Sequence, residues 1–300
     1  MSTQTMHEAN DEALHSGLPI KRGTRPSAYI RRGLFWLTGI AIGFWSVAPF
    51  LWQVIASLQP DVNLLNKQPS FLPIPFTFEH YENTFVDRGF GQYVVNSAIV
   101  AVAATVISQV IALLAAYSLA RLPMIGKGVV LAVLLGISMF PHIAIVGPLY
   151  VLFNQWAWLD THMALVGPYI GLSVPLSVFI LTTHLRSIPR EIDEAAMIDG
   201  AGKMRTLWSL ILPLAMPGLV TSAILAFIAN WNEFMLALAF TSTPEHQTSS
   251  VGIANFADAD YAPLGDMAAA SIVATIPLII IVIFFQRRIV SGLTSGGVKG

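Results

Sequence analysis

The residues best suited to chemistry in this 300-residue chain stand in two places. The first is RSIPREIDEAAMIDGAGKMR, residues 186–205, which holds eight of the 33 charged residues of the chain. The second is Asn230, Trp231, Asn232 and Glu233, a polar run set into an apolar stretch. Neither has the spacing of a catalytic site, and no catalytic or metal-ligating residues are expected. His142, His162 and His184 are scattered, no H-E-x-x-H pair occurs, and Gly136-Ile137-Ser138 lacks the setting of an intramembrane serine nucleophile. The chain has no cysteine, which removes disulfide frameworks, thiolate metal sites and cysteine nucleophiles. A phosphate loop is also missing, since Gly126-Lys127 and Gly202-Lys203 have neither the upstream glycine nor the following Ser or Thr of G-x-x-x-x-G-K-[ST].

What residues 186–205 offer is a surface for recognition. Pro189 suits a first helical turn, Glu191, Asp193 and Glu194 complement the positive end of a helix, and Gly200 can take the left-handed conformation that ends one. Ile188, Ile192, Ala195 and Ala196 recur near helical spacing and make a small-residue face that another surface can approach, with acidic residues beside it. A second segment starts at about Ala201 and leads through Leu207, Leu210 and Leu212 to Pro213.

The elements that must position these residues lie in a membrane. At 55% hydrophobic and 11% charged residues, with mean hydropathy +0.66, the chain is far from an ordinary soluble domain. Its net charge of -1 gives no reason to expect nucleic acid. Windows free of Asp, Glu, Lys and Arg cover 33–60, 89–120, 128–159, 161–185, 206–232 and 267–286. About 20 apolar helical residues cross the hydrocarbon of a bilayer. The reading is an all-α membrane protein with spans at about 33–58, 92–120, 128–153, 161–185, 206–240 and 267–287, the fifth running on past Glu233.

Orientation follows from the cations. With the N-terminus in the cytoplasm, fourteen of the 16 Lys and Arg lie inside, and only Lys67 and Arg88 lie outside. The outer loops are acidic, with Asp61, Glu79, Glu82, Asp87, Asp160, Glu245, Asp258, Asp260 and Asp266. Both termini are therefore expected in the cytoplasm, residues 1–32 as a disordered arm and 291–300 as a tail flanking a permease domain at 33–290. The outer loop from Gln59 to Arg88, with four prolines, reads as extended and turn-rich. Residues 186–205 become a cytoplasmic helix–turn–helix between the fourth and fifth spans. A carboxylate well inside a bilayer is costly, so Glu233 should lie near the outer interface or face water or another helix. Trp231 also fits a plain interfacial anchor.

Glu194, Ala195, Ala196 and Gly200, followed by Leu210, Leu212 and Pro213, resemble the EAA loop of ABC importer permeases: EAA, three residues, G, nine residues, I-x-L-P. Leu210 stands where the pattern has Ile. Residues 96–121, 139–153, 160–170, 231–234 and 292–300 are similar to carbohydrate-importer permeases of the maltose-transporter second-subunit type, so the resemblance covers nearly everything after about residue 30.

The resemblance implies the fold of an ABC type I importer permease, six spans with a cytoplasmic EAA coupling helix, in a bacterial inner membrane. It implies a second permease subunit, two ATP-binding-cassette ATPase subunits that hold the ATP and Mg, and a periplasmic or lipid-anchored sugar-binding protein. No cofactor is expected on this chain. Glu194, Ala195, Ala196, Asp199, Gly200, Leu212 and Pro213 would couple to the ATPase. Asn230, Trp231, Asn232 and Glu233 would line the sugar pathway, where an indole face stacks on a sugar ring and amides or a carboxylate bind its hydroxyls. The competing class, a carrier driven by an ion gradient, needs intramembrane carboxylate or His relays, and Glu233 is the only acidic residue within a span.

Overall fold

The computed structural model describes the backbone of residues 26–64, 72–257 and 262–294, and within these the side chains of 31–64, 72–257 and 262–286. Every regular element among them is helical. The principal helices are α1 (Pro26–Ser57), α2 (Phe90–Arg121), α3 (Lys127–Ser138), α4 (Ile143–Gln155), α5 (His162–Ser187), α6 (Glu191–Ile198), α7 (Lys203–Trp231), α8 (Met235–Phe240), α9 (Ser249–Ala254) and α10 (Leu264–Thr294). α1, α2, α5, α7 and α10 are each long and apolar enough to cross a membrane. Residues up to Leu51 form one unit and those from Trp52 onward another. α1 begins at Pro26, so the end of the expected arm is helical; residues 1–25 and 295–300 of the expected arm and tail lie outside the described residues.

The third span departs from the expected single helix over 128–153. α3 and α4 meet at 85° across Met139–His142. Pro141 has no N–H to donate and disfavours helical geometry at Phe140. The last turn of α3 tightens instead, Met139 N–H bonding Gly136 O at 3.2 Å and Phe140 N–H bonding Ile137 O at 3.1 Å. The fifth span is likewise interrupted, at Asn232–Phe234, before the short α8.

α2, α5 and α7 form the packed centre of the second unit. Alanines at 101, 104, 112, 116 and 120 are buried along α2 and let its neighbours approach closely. At Gly218 of α7 the approach is closest: a Cβ there would stand 2.6 Å from Cγ of His184 on α5. One apolar cluster joins Leu113, Tyr117, Leu181, Leu185, Leu207 and Ile211, with Leu131 and Leu134 of α3 packed on it. A second joins Val100, Leu165, Tyr169, Leu236, Phe240 and Phe153 of α4.

Polar bonds cross the three helices. Gln109 donates to Ser177 Oγ at 2.9 Å and accepts from Ser222 at 2.6 Å. Asn230 accepts from Ser173 at 3.0 Å and donates to Thr105 at 3.3 Å. In lipid a side-chain amide has no water to satisfy it, so these bonds fix both the register and the choice of facing sides.

The segment expected to be extended is partly helical, with single turns at Asp61–Leu64 and Glu79–Glu82 and a π turn at Asn83–Asp87. On the second of these turns His80 binds Asp266 at the start of α10 at 2.8 Å and the Gln59 carbonyl at 2.8 Å. Arg88 reaches the other Asp266 oxygen at 3.1 Å. The His80 ring lies over Gly265, where a Cβ would collide with it.

Candidate coupling site and polar break

Residues 186–205 form a helix and a turn, with both ends built as the residue types require. α6 starts at Glu191, with Asp193 N–H and Glu194 N–H bonding Arg190 O, and Glu191, Asp193 and Glu194 lie in its first turn. Pro189 precedes this start and lies outside the helix. At the other end Gly200 has φ +77, Gly200 N–H bonds Met197 O at 3.1 Å, and Ala201 N–H bonds Ala196 O at 2.9 Å. This pair of bonds is the Schellman arrangement that a left-handed residue after the helix makes possible. The next helix begins at Lys203, not Ala201.

The small residues of α6 do not form one free face. Ala196 and Ile188 are buried, and Ile192 packs on the cluster of Leu185, Leu207 and Ile211. Ala195, Glu194, Met197, Ile198, Asp199 and Gly200 are exposed, Ile198 at 86%. The inward face seats the helix on the bundle, so the surface open to a partner is Glu194, Ala195, Met197 and Ile198. Asp199 caps the C-terminal end, where a carboxylate is unfavourable to the helix dipole, so helix stability does not explain it. Leu212 is half-buried and Pro213 exposed, directly after the π turn at Leu207–Ile211. Pro213 gives no N–H to the carbonyl four residues back, which suits a widened turn there.

Two residues that sequence spacing does not bring together hold α6 in place. Arg121, at the end of α2, ion-pairs with Asp193 at 3.2 Å and donates to Ile188 O at 2.9 Å. The side chains are 5% and 16% exposed. Arg121 thus clasps both the first turn of α6 and the segment before it. Its only signal in the sequence is its place as the first charge after an apolar window.

The polar break divides the second group of residues. Asn230 is buried and belongs to the interhelical bonds above. Trp231 is also buried, its indole N–H bonding Ala274 O of α10 at 3.0 Å and its ring 5.5 Å from that of Phe227. Asn232 is exposed. Glu233 is half-buried and faces another helix, Tyr169 of α5 donating to its carboxylate at 2.7 Å. That carboxylate also accepts Leu236 N–H at 2.9 Å and Ala237 N–H at 3.2 Å, so it caps α8. Ser250 bonds its carbonyl at 2.9 Å. Tyr169 and Ser250 join Glu233 here without any local sequence signal. Among the described residues no three His, Asp or Glu stand close enough to hold a metal.

Known proteins resemble this chain, some in sequence and a solved structure in fold. Residues 108–295 match the family described as binding-protein-dependent transport system inner membrane component. The trehalose/maltose transport system permease protein MalG of Thermococcus litoralis is 39% identical over 279 residues, 90% of this chain and 98% of that protein. The trehalose transport system permease protein SugB of Mycobacterium tuberculosis is 40% identical over 274 residues, 90% of this chain and 99% of that one. Among solved structures, a bacterial ABC transporter involved in the import of the acidic polysaccharide alginate superposes with TM-score 0.74 at 20% identity, over 88% of this chain and 98% of the other. With its apolar helices and these matches, the chain belongs to the family of inner membrane components of binding-protein-dependent transport systems.

Proposed function

We propose that this chain is a permease subunit of an ATP-binding-cassette importer that moves a sugar or related carbohydrate into the cytoplasm. It pairs with a second permease and with two ATPase subunits that carry the ATP and Mg, since this sequence has no phosphate loop. A periplasmic or lipid-anchored binding protein delivers the sugar. Both termini and residues 186–205 lie in the cytoplasm, and the permease domain covers 33–290. Its relatives are named for trehalose and maltose, which supports a carbohydrate cargo.

The observation that carries this reading is α6, a short helix fixed to the bundle by Ala196 and the Arg121–Asp193 pair while Glu194, Met197 and Ile198 stay exposed. A helix so seated passes a push from an ATPase into α2 and α7 as a rigid body. Leu212 and Pro213 lie where that push enters α7. Asn232 and Glu233 face the sugar pathway, while Asn230 and Trp231 hold the break in shape.

The test is uptake of labelled sugar by cells carrying Glu194→Lys or Gly200→Val, with copurification of the ATPase scored alongside. Both variants should insert normally, lose uptake and lose the ATPase. Gly200→Val should be the harsher, because a β-branched residue is strained at φ +77. Full uptake by both at equal membrane abundance would end the assignment.

A further inference from the structure

The turn RLPMIGK, residues 121–127, joins α2 to α3 where two apolar windows end. Ile125 at its tip is fully exposed and Met124 is 43% exposed. Gly126 has φ +80 and starts α3 without a side-chain cap, so the first N–H groups of that 12-residue helix have no partner within it. Beside the tip lies a groove of about 880 Å³ lined by Arg121, Pro123, Met124, Ile125, Lys127 and Arg190. It shares Arg121, Pro123 and Arg190 with a cleft of about 250 Å³ that runs along α6 to Lys203. Asp193 occupies Arg121, and Glu194 is the other carboxylate in the cleft. Among the described residues Lys127, Arg190 and Lys203 have no ion-pair partner.

Unpaired cations and a helix N-terminus attract a phosphate. An apolar tip projecting between cations is of no use to a soluble anion, but it suits a ligand whose charged head continues into acyl chains. We infer that this groove binds the headgroup of an anionic phospholipid, with Lys127 and Arg190 on the phosphate and Met124 and Ile125 in the acyl layer. The inference rests on the reading that the chain spans a membrane with residues 121–127 at its surface. Basic pockets at the ends of membrane helices take anionic headgroups in this way. Such a lipid would also brace α6, because Arg190 immediately precedes that helix.

Native mass spectrometry can test this on the chain in whatever assembly it purifies, in detergent supplied with phosphatidylglycerol and phosphatidylcholine. The readout does not depend on transport, so it stays legible if the importer assignment fails. The wild type should retain phosphatidylglycerol, and the double variant Lys127→Gln/Arg190→Gln should retain about tenfold less, with phosphatidylcholine unchanged. The double variant Lys127→Arg/Arg190→Lys should keep it, which separates charge from folding. Ile125→Gln should weaken retention, and millimolar inorganic phosphate should not displace the lipid. Equal retention by the wild type and the Gln variants overturns the inference. Displacement by inorganic phosphate alone also overturns it, by showing a soluble-anion site, as would loss of the ATPase without loss of lipid.

Discussion

Arg121 and Asp193 bring a buried charge to the foot of the bundle, and each is costly without the other. Removing one partner of such a pair typically costs about 3 kcal/mol, because the remaining charge is left desolvated, whereas an apolar pair of similar volume is often tolerated. Arg121→Met and Asp193→Asn should each lower the melting temperature in detergent and reduce uptake, and Arg121→Met/Asp193→Leu should be more stable than either single variant. A double variant no better than the singles would mean that the two side chains act separately. Asp160 makes a second residue-scale case, on the far side of the molecule. Burial acts to raise its carboxyl, but N–H bonds from Ser242 and Thr243, the Thr243 hydroxyl and nearby His246 outweigh this and hold it below the usual carboxylate value. A depressed carboxylate contributes stability that is complete above its unfolded value of about 3.9 and is lost as pH falls through the native value. Protection of the Ser242 and Thr243 N–H groups from hydrogen exchange, taken relative to the intrinsic rate at each pH, should therefore fall below about pH 4, and Asp160→Asn should remove that dependence.

At the scale of helices, charge-free windows locate α2, α5, α7 and α10 well, because a membrane span must exclude Lys, Arg, Asp and Glu over its length. The same rule is blind inside a window. Met139-Phe140-Pro141-His142 carries no charge, so composition alone draws one helix where Pro141 makes two at 85°. The cap of α6 is legible, since Gly200 has few conformational rivals, but which alanine of the Ala195–Ala196 pair faces inward depends on how the helix seats, with Ile192 packed on Leu185, Leu207 and Ile211, and local spacing does not show that. Trp231 misleads for a similar reason: its polar neighbours place it on a surface, yet Ala274 and Phe227 enclose it. Gly218 shows how tightly helix pairs are set. A methyl group there meets Cβ, Cγ and Cδ2 of His184 at 2.6–2.9 Å, so α5 and α7 must separate to admit it. Gly218→Ala should destabilise by about 1–3 kcal/mol, as overpacking does, and His184→Ala in the same chain should restore only the part due to the ring, since the Cβ of residue 184 stays at 2.9 Å. Thermal unfolding of the wild type and these two variants decides this, and an unaffected Gly218→Ala would mean that the helices adjust freely.

For the whole molecule, everything turns on whether α3 and α4 together cross the membrane or return to the side they left. If they cross, fourteen of the 16 cations share the N-terminal side. If they return, each later segment changes side, and Lys21, Arg22, Arg25, Arg31, Arg32, Arg121 and Lys127 face Lys67, Arg88, Arg186, Arg190, Lys203, Arg205, Arg287, Arg288 and Lys299, which abolishes the bias. Packing argues the same way. α7 runs 29 residues from Lys203 to Trp231, about 43 Å at the helical rise, so α8 and the residues after it lie a membrane's thickness from Lys203. The loop beyond α4 is tied to that far end, Asp160 N–H bonding Phe240 O at 2.8 Å and Phe153 meeting Phe240 ring to ring at 5.2 Å. Reporter tags at 123 and after 300 should therefore be protected in right-side-out cells, and tags at 157 and 250 should be accessible. Protection at 157 together with exposure after 300 would make α3 and α4 a re-entrant hairpin and would move α6 to the wrong side of the membrane for an ATPase.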